Sequence, residues 1–260
     1  KGSPLADTLL GGNGNDTIQA GSGDDTANGK QGNDYISGFA GKDLIRGELG
    51  NDLLRGGDGN DSILGGSGND TLYGDDGDDY LSTFDGLDSV YGGNGNDNIR
   101  GGLGSEKIWG DAGDDIIYGN ASSDSISGGI GNDTIFGEVG SDIISGNGGA
   151  DSLSGGANAD IFRFASVKDS SVADVGRDRI VDFSQAQGDK VDVQALNITA
   201  FIGSSAFSGT GVAELRYEQF ASATYDRTLV YADKNGDGTA DMSVQFSQQL
   251  IAFTAGDFLF

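Results

Sequence analysis

Residues Gly11–Gly38 read GGNGNDTIQAGSGDDTANGKQGNDYISG, which is one nine-residue phrase met three times. The phrase is Gly-Gly-x-Gly-x-Asp-x-apolar-x, with small departures. Glycine-rich positions suit turns, because glycine accepts positive φ and close backbone approach. The three residues that close each phrase have one apolar side chain between two variable ones, the pattern of a short strand with its middle residue inward.

Extended in both directions, the phase holds from Gly2 to Arg163 in eighteen rows without insertion or deletion. The sixth column is Asp7, Asp16, Asp25, Asp34, Asp43, Asp52, Asp61, Asp70, Asp79, Asp88, Asp97, Glu106, Asp115, Asp124, Asp133, Asp142, Asp151 and Asp160. Every row has a carboxylate there. The eighth column is apolar throughout, from Leu9 and Ile18 to Leu153 and Phe162. Departures from the phrase fall at Leu5, Ala20, Thr83, Glu106, Ser122 and Asn158. A repeat this regular decides the architecture before any other feature.

Composition agrees. Of 260 residues 48 are glycine and one is proline, which leaves neither collagen nor a proline-rich linker. Formal charge is −26, from 41 acidic and 15 basic residues. This argues against nucleic acid or an anionic membrane as partner and for cations. No run is long and apolar enough to insert in a membrane, and no N-terminal signal peptide is visible. Cysteine is absent, so no disulfide framework replaces a core. The chain opens on Lys1 without methionine, and we expect it to be part of a longer protein.

Two rows make one coil, so odd and even rows should stack in separate columns at about 4.8 Å per coil, a rod of roughly 43 Å. One apolar residue per row is a thin core, and the carboxylates oppose the stack. Two unit charges about 5 Å apart repel by roughly 0.8 kcal/mol in water and about 3 kcal/mol at an effective dielectric of 20. A cation between them reverses the sign. Calcium fits, because it takes six to eight oxygen ligands at about 2.3–2.6 Å and accepts carbonyls beside carboxylates. With neither histidine nor cysteine in the chain, zinc, copper, haem and iron–sulfur sites are poorly served. The aspartates of the sixth column are therefore the candidate calcium ligands.

The phrase GGxGxDxUx identifies residues 2–163 as resembling the repeats-in-toxin (RTX, hemolysin-type calcium-binding) family. The resemblance implies an all-β fold, a right-handed parallel β-roll, with calcium held between same-side turns by these aspartates and by turn carbonyls. After Phe164 the period stops. The stretches ADIFRF (Ala159–Phe164), DRIVDFSQAQGDKVDV (Asp178–Val193), AELRYEQF (Ala213–Phe220), RTLVYADKNGDGTADMSVQF (Arg227–Phe246) and FTAGDFLF (Phe253–Phe260) resemble the C-terminal parts of serralysin-type proteases and alginate-epimerase modules. They imply a β-rich cap over residues 164–260. They also imply an uncleaved signal for a type I secretion apparatus, with acidic Asp257 before Phe258, Leu259 and Phe260. Taken by themselves, these last residues read more simply as a final strand covering the open end of the solenoid, and the two readings are compatible. Asp178–Val193 itself reads as two short strands about a turn.

Within the cap, DKNGDG places Asp233, Asn235 and Asp237 at alternate positions, like the start of an EF-hand loop. Asp241 falls at the ninth position, but the twelfth is Val244 where that loop needs glutamate. An additional calcium ion and an ordinary hairpin turn both remain open, as do a junctional ion and simple loop roles for Asp182, Asp189 and Asp192.

In the ninth column, Arg55, Tyr73, Tyr91 and Trp109 recur every eighteen residues, which stacks them outward in one file. Such a file can bind polysaccharide by packing rings on pyranose faces, or can simply cover strand surface. Three classes of function follow: a calcium-dependent folding and secretion module of a larger secreted or cell-surface protein, a polysaccharide-attachment module, and an enzyme. The last is disfavoured, since HExxH and GxSxG motifs are missing along with any histidine base.

Overall fold

The computed structural model describes residues 1–221, 226–247 and 249–260. Two long sheets face each other. One carries the strands Thr8–Asn13, Thr26–Gln31, Leu44–Leu49 and so on through Ser152–Ala157; the other carries Thr17–Ser22, Tyr35–Ala40 and so on through Ile161–Arg163. Neighbours within a sheet are parallel and eighteen residues apart, as in Leu9↔Ala27, Ile45↔Ile63 and Tyr73↔Tyr91. This is the parallel β-roll expected from the period. From Ile18 to Phe162 the eighth column is buried between the sheets, most of it with 0% exposure.

The strands are longer than the three residues that the phrase suggests. Most have six, because pairing continues into the first half of the next row. Column two makes this possible by adopting positive φ, even at non-glycine residues such as Lys30, Phe39, Glu48 and Phe84. Column four takes positive φ too, and Ser122 (φ 76°) and Asn158 (φ 84°) do so in place of glycine. Column one needs glycine for another reason, set out below.

The nine-residue period ends near Arg163, but the sheets continue. Arg179–Ile180 pairs in parallel with Ser152–Ala157, and Lys190–Asp192 with Ile161–Arg163. The two strands of the Asp178–Val193 stretch thus enter different sheets and do not pair with each other. Hydrogen bonding to the coil beneath outweighs the local turn, because each strand covers an otherwise open edge. Beyond them Met242–Ser247, Arg227–Asp233 and Glu214–Phe220 run antiparallel on one sheet, while Phe258–Leu259 closes the other. An aromatic cluster plugs the end of the roll: Phe183 meets Phe246 edge-on at 5.2 Å and Phe253 at 5.4 Å, and Phe258 lies 5.3 Å from Phe253.

Candidate metal centre

The turns between the sheets present the sixth-column carboxylates as two ladders, one along each edge of the roll. Wherever two aspartates stand eighteen residues apart in a ladder, the amide of the first donates to Oδ1 of the second. Asp61 donates to Asp79 and Asp79 to Asp97, at 2.7 and 2.8 Å. The second oxygen is different. From Asp16 to Asp160, every sixth-column aspartate has a buried Oδ2 with no hydrogen-bond partner.

Glycine in column one follows from the position of that oxygen. A Cβ on Gly74 would lie 2.3 Å from Asp79 Oδ2 and 2.3 Å from the carbonyl oxygen of Gly92. On Gly47 it would lie 2.2 Å from Asp52 Oδ2 and 2.6 Å from the carbonyl oxygen of Gly65. The missing side chain leaves a cradle lined by a carboxylate oxygen of one row and a carbonyl oxygen of the next on that side. Gly74→Ala should therefore lower stability in saturating calcium by about 1–3 kcal/mol and reduce the number of bound ions. Gly148→Ala, whose Cβ meets only the Gly129 carbonyl oxygen at 3.7 Å, serves as the control. Equal melting temperatures for the two variants would exclude the cradle as a constrained site.

Burial raises the proton affinity of these carboxyls. Chiefly because they are held away from water, and with like charges nearby, Asp79 and Asp133 are pushed up to about 6, Asp61, Asp70 and Asp115 to about 7, and Asp97 and Asp124 to about 8. Among the described residues no three acidic side chains gather as a metal cluster. Each gap instead offers carboxylate oxygens from two rows together with backbone carbonyls. This all-oxygen set suits a hard divalent cation, and the orphaned Oδ2 atoms give such an ion a role that no protein donor fills.

The departures have local consequences. Glu106 donates its amide to Asp124 Oδ1 as usual (2.8 Å), but its longer side chain turns Oε2 toward the Gly102 amide (3.3 Å). The preceding strand, Asn98–Arg100, stops at three residues. Thr83 fills the first-column position beside Asp88 with 0% exposure. Thr83 and Glu106 thus border the same gap, between Asp88 and Glu106. At the N-terminal end Asp7 differs as well, since its Oδ2 accepts the Ser3 amide.

A fifth-column ladder was not apparent from the sequence. Asn15, Asn33, Asn51 and Asn69 accept through Oδ1 the amides of Asn33, Asn51, Asn69 and Leu87. Its bonds run opposite to those of the aspartates, so the two rails stitch successive turns together. The Asn-Asp pair, present in seven of the eighteen rows, is the sequence signal for both.

In the cap, Asp233 is fully buried at the end of its strand, and its two oxygens accept the amides of Gly236 and Gly238 at 2.7 and 2.8 Å. Asn235 accepts the Asp237 amide (2.8 Å), Asp237 accepts that of Thr239 (2.8 Å), and Asp241 accepts that of Lys234 (2.8 Å). The loop is a tight turn held by its own side chains.

The ninth-column aromatics do line up. Tyr73 and Tyr91 are 4.8 Å apart with 7° between ring planes, Tyr91 and Trp109 4.6 Å apart with 2°, and the Arg55 guanidinium lies over Tyr73 at 5.1 Å. Both faces of Tyr91 are covered by its neighbours. What the stack presents outward is therefore mainly ring edges.

With this geometry in view, the family model described as RTX calcium-binding nonapeptide repeat (4 copies) matches residues 2–36, 19–54, 37–72, 55–84, 73–105, 100–135 and 127–162. The chain belongs to the RTX calcium-binding repeat family. A comparison with curated proteins gave no match. Among solved structures, this RTX chain is similar to the solution structure of the AlgE6R3 subunit of an Azotobacter vinelandii mannuronan C5-epimerase, at 32% identity over 57% of this chain and 78% of that one, with TM-score 0.44. It is also similar to the AlgE6R2 subunit from the same organism, at 31% identity over 59% and 91% of the two chains, with TM-score 0.42.

Proposed function

We propose that this chain is a non-catalytic calcium-binding module that folds on taking up calcium, after a larger protein carrying it has left the cell through a type I secretion apparatus. One observation carries the reading: two ladders of buried aspartates, each with one oxygen lacking any donor. Calcium between same-side rows would be held by the aspartates from Asp7 to Asp160 with turn carbonyls, and when bound it supplies the positive charge the ladders need. The turn at Asp233, Asn235 and Asp237 is proposed as a separate calcium loop, supported by oxygen-bearing side chains at alternate positions. Export to the medium or cell surface is supported by family membership, and the lack of cysteine is compatible with it. No helix of the described residues is long and apolar enough to cross a membrane. At the C-terminus, Asp257 closes a short turn and Phe258–Leu259 adds a strand, so the proposed secretion signal is part of the folded cap.

A second reading, attachment to polysaccharide, is favoured by one observation. A groove lined by Tyr35, Phe39, Arg55, Asp75 and Asp111 runs beside the aromatic stack. Its acidic walls would need calcium to bridge an acidic glycan. Calorimetry decides between the readings. Calcium added to the chain should release or absorb heat saturably with several ions bound per chain; no binding at millimolar calcium would exclude the main proposal. Acidic oligosaccharides added to the loaded chain should then give heat that Trp109→Ala diminishes only if the second reading holds.

A further inference from the structure

The carboxylate ladder does not stop where the repeats stop. On one edge the next acceptor after Asp151 is Asp178: its Oδ1 takes the Asp151 amide at 3.1 Å, the same bond that joins the repeat aspartates. Asp178 has 0% exposure, and its Oδ2, like that of Asp151, is buried without a partner. The spacing is 27 residues in place of 18, three nine-residue rows where the repeats use two, so Asp178 keeps the sixth-column phase after the glycine phrase has lapsed. Its backbone is fixed by the cap, for its amide donates to Ser170 Oγ (2.8 Å) and its carbonyl accepts the Gln245 amide (2.9 Å).

Other cap carboxylates near the junction have protein donors on one or both oxygens. Asp189 continues the opposite ladder by accepting the Asp160 amide (3.1 Å), but its Oδ2 accepts the Ser184 amide (2.8 Å). Asp182 accepts from Ser154 Oγ and from the amides of Gly155 and Gly156. Asp192 binds the Arg163 guanidinium and the Gln194 amide, and Asp169 Oδ2 takes the amides of Ala165 and Ser166. Among these five, Asp178 alone combines full burial, the ladder bond and an orphaned oxygen.

We propose that Asp178 is a calcium ligand supplied by the cap, closing the last gap on its edge together with Asp151 and fastening cap to roll through one ion. The inference rests on the roll aspartates being calcium ligands. It makes the two edges unequal, with a junction ion at Asp178 and none at Asp189.

The test counts calcium bound to the full chain by native mass spectrometry, comparing wild type with Asp178→Asn, Asp189→Asn, Asp151→Asn and Asp97→Asn. Asparagine keeps an oxygen for the ladder bond and removes the charge. Asp178→Asn should bind one ion fewer than wild type, and Asp189→Asn the same number. Asp151→Asn should lose as many ions as Asp97→Asn, since both would border two filled gaps. This last comparison stands even if Asp178→Asn fails to fold. A wild-type count in Asp178→Asn, or a smaller loss in Asp151→Asn than in Asp97→Asn, overturns the junction site and leaves the roll sites intact. A wild-type chain that binds no calcium overturns the roll reading and this one with it.

Discussion

In excess chelator at neutral pH, the chain should lose most of its sheet signal in far-ultraviolet circular dichroism and regain it when calcium is added. Sixteen buried aspartate Oδ2 atoms lack a partner in the roll. A buried polar group left unsatisfied costs about 1–3 kcal/mol, and more when charged. Even at the lower bound these atoms outweigh the roughly 5–15 kcal/mol of net stability that a whole domain commands. The strands pair in register and the eighth column is buried from Ile18 to Phe162, so the deficit lies in the turns. Calcium bound there would remove it by supplying charge and coordination that no side chain provides. The fluorescence of Trp109, the single tryptophan, should follow the same transition, because its ring is ordered by stacking on Tyr91. A chain with full sheet content in chelator would show that its amide and side-chain rails suffice alone.

The roll was legible because its causes repeat. A carboxylate every nine residues and an apolar residue two places later fix which side chain faces the turn and which faces the core; Asp97 and Ile99 sit where that logic puts them. Other features escaped for identifiable reasons. First-column glycine looks like a demand for unusual φ, yet Gly74 matters because an oxygen occupies the space of its missing Cβ. Column two carries the unusual φ without advertising it, since Lys30 and Glu48 tolerate it within a paired strand. Asp178 lies beyond the glycine phrase, though in phase with it, and Asp189 lies out of phase; both are placed by tertiary pairing of Arg179–Ile180 and Lys190–Asp192 onto the roll. The aromatic file was visible by spacing, but the face-to-face stacking of Tyr73, Tyr91 and Trp109 follows from the near-zero offset of parallel, in-register strands, which spacing states only indirectly.

Acid should stabilise the calcium-free roll and oppose calcium, and the two effects can be separated. The sign follows from burial. Asp61, Asp70 and Asp115 are pushed up to about 7 and Asp97 to about 8 in the fold, whereas an aspartate in the unfolded chain titrates near 3.8. A group whose folded value is raised contributes stability that is complete below its unfolded value and is lost as pH rises through its folded value. Folding without calcium therefore takes up protons between about pH 4 and pH 8, and each proton removes one charge from the ladders. In chelator, lowering the pH from about 8 to about 5 should restore part of the sheet signal. The lower limit keeps the chain above its isoelectric point near 4.1, and sedimentation should show the same association state across the range. Calcium needs the same oxygens ionised, so the calcium concentration at half-binding to the folded chain should rise as pH falls through about 7. A sheet signal in chelator that is flat across this range, or strongest at alkaline pH, would mean that the ladder carboxylates are not what holds the calcium-free roll apart.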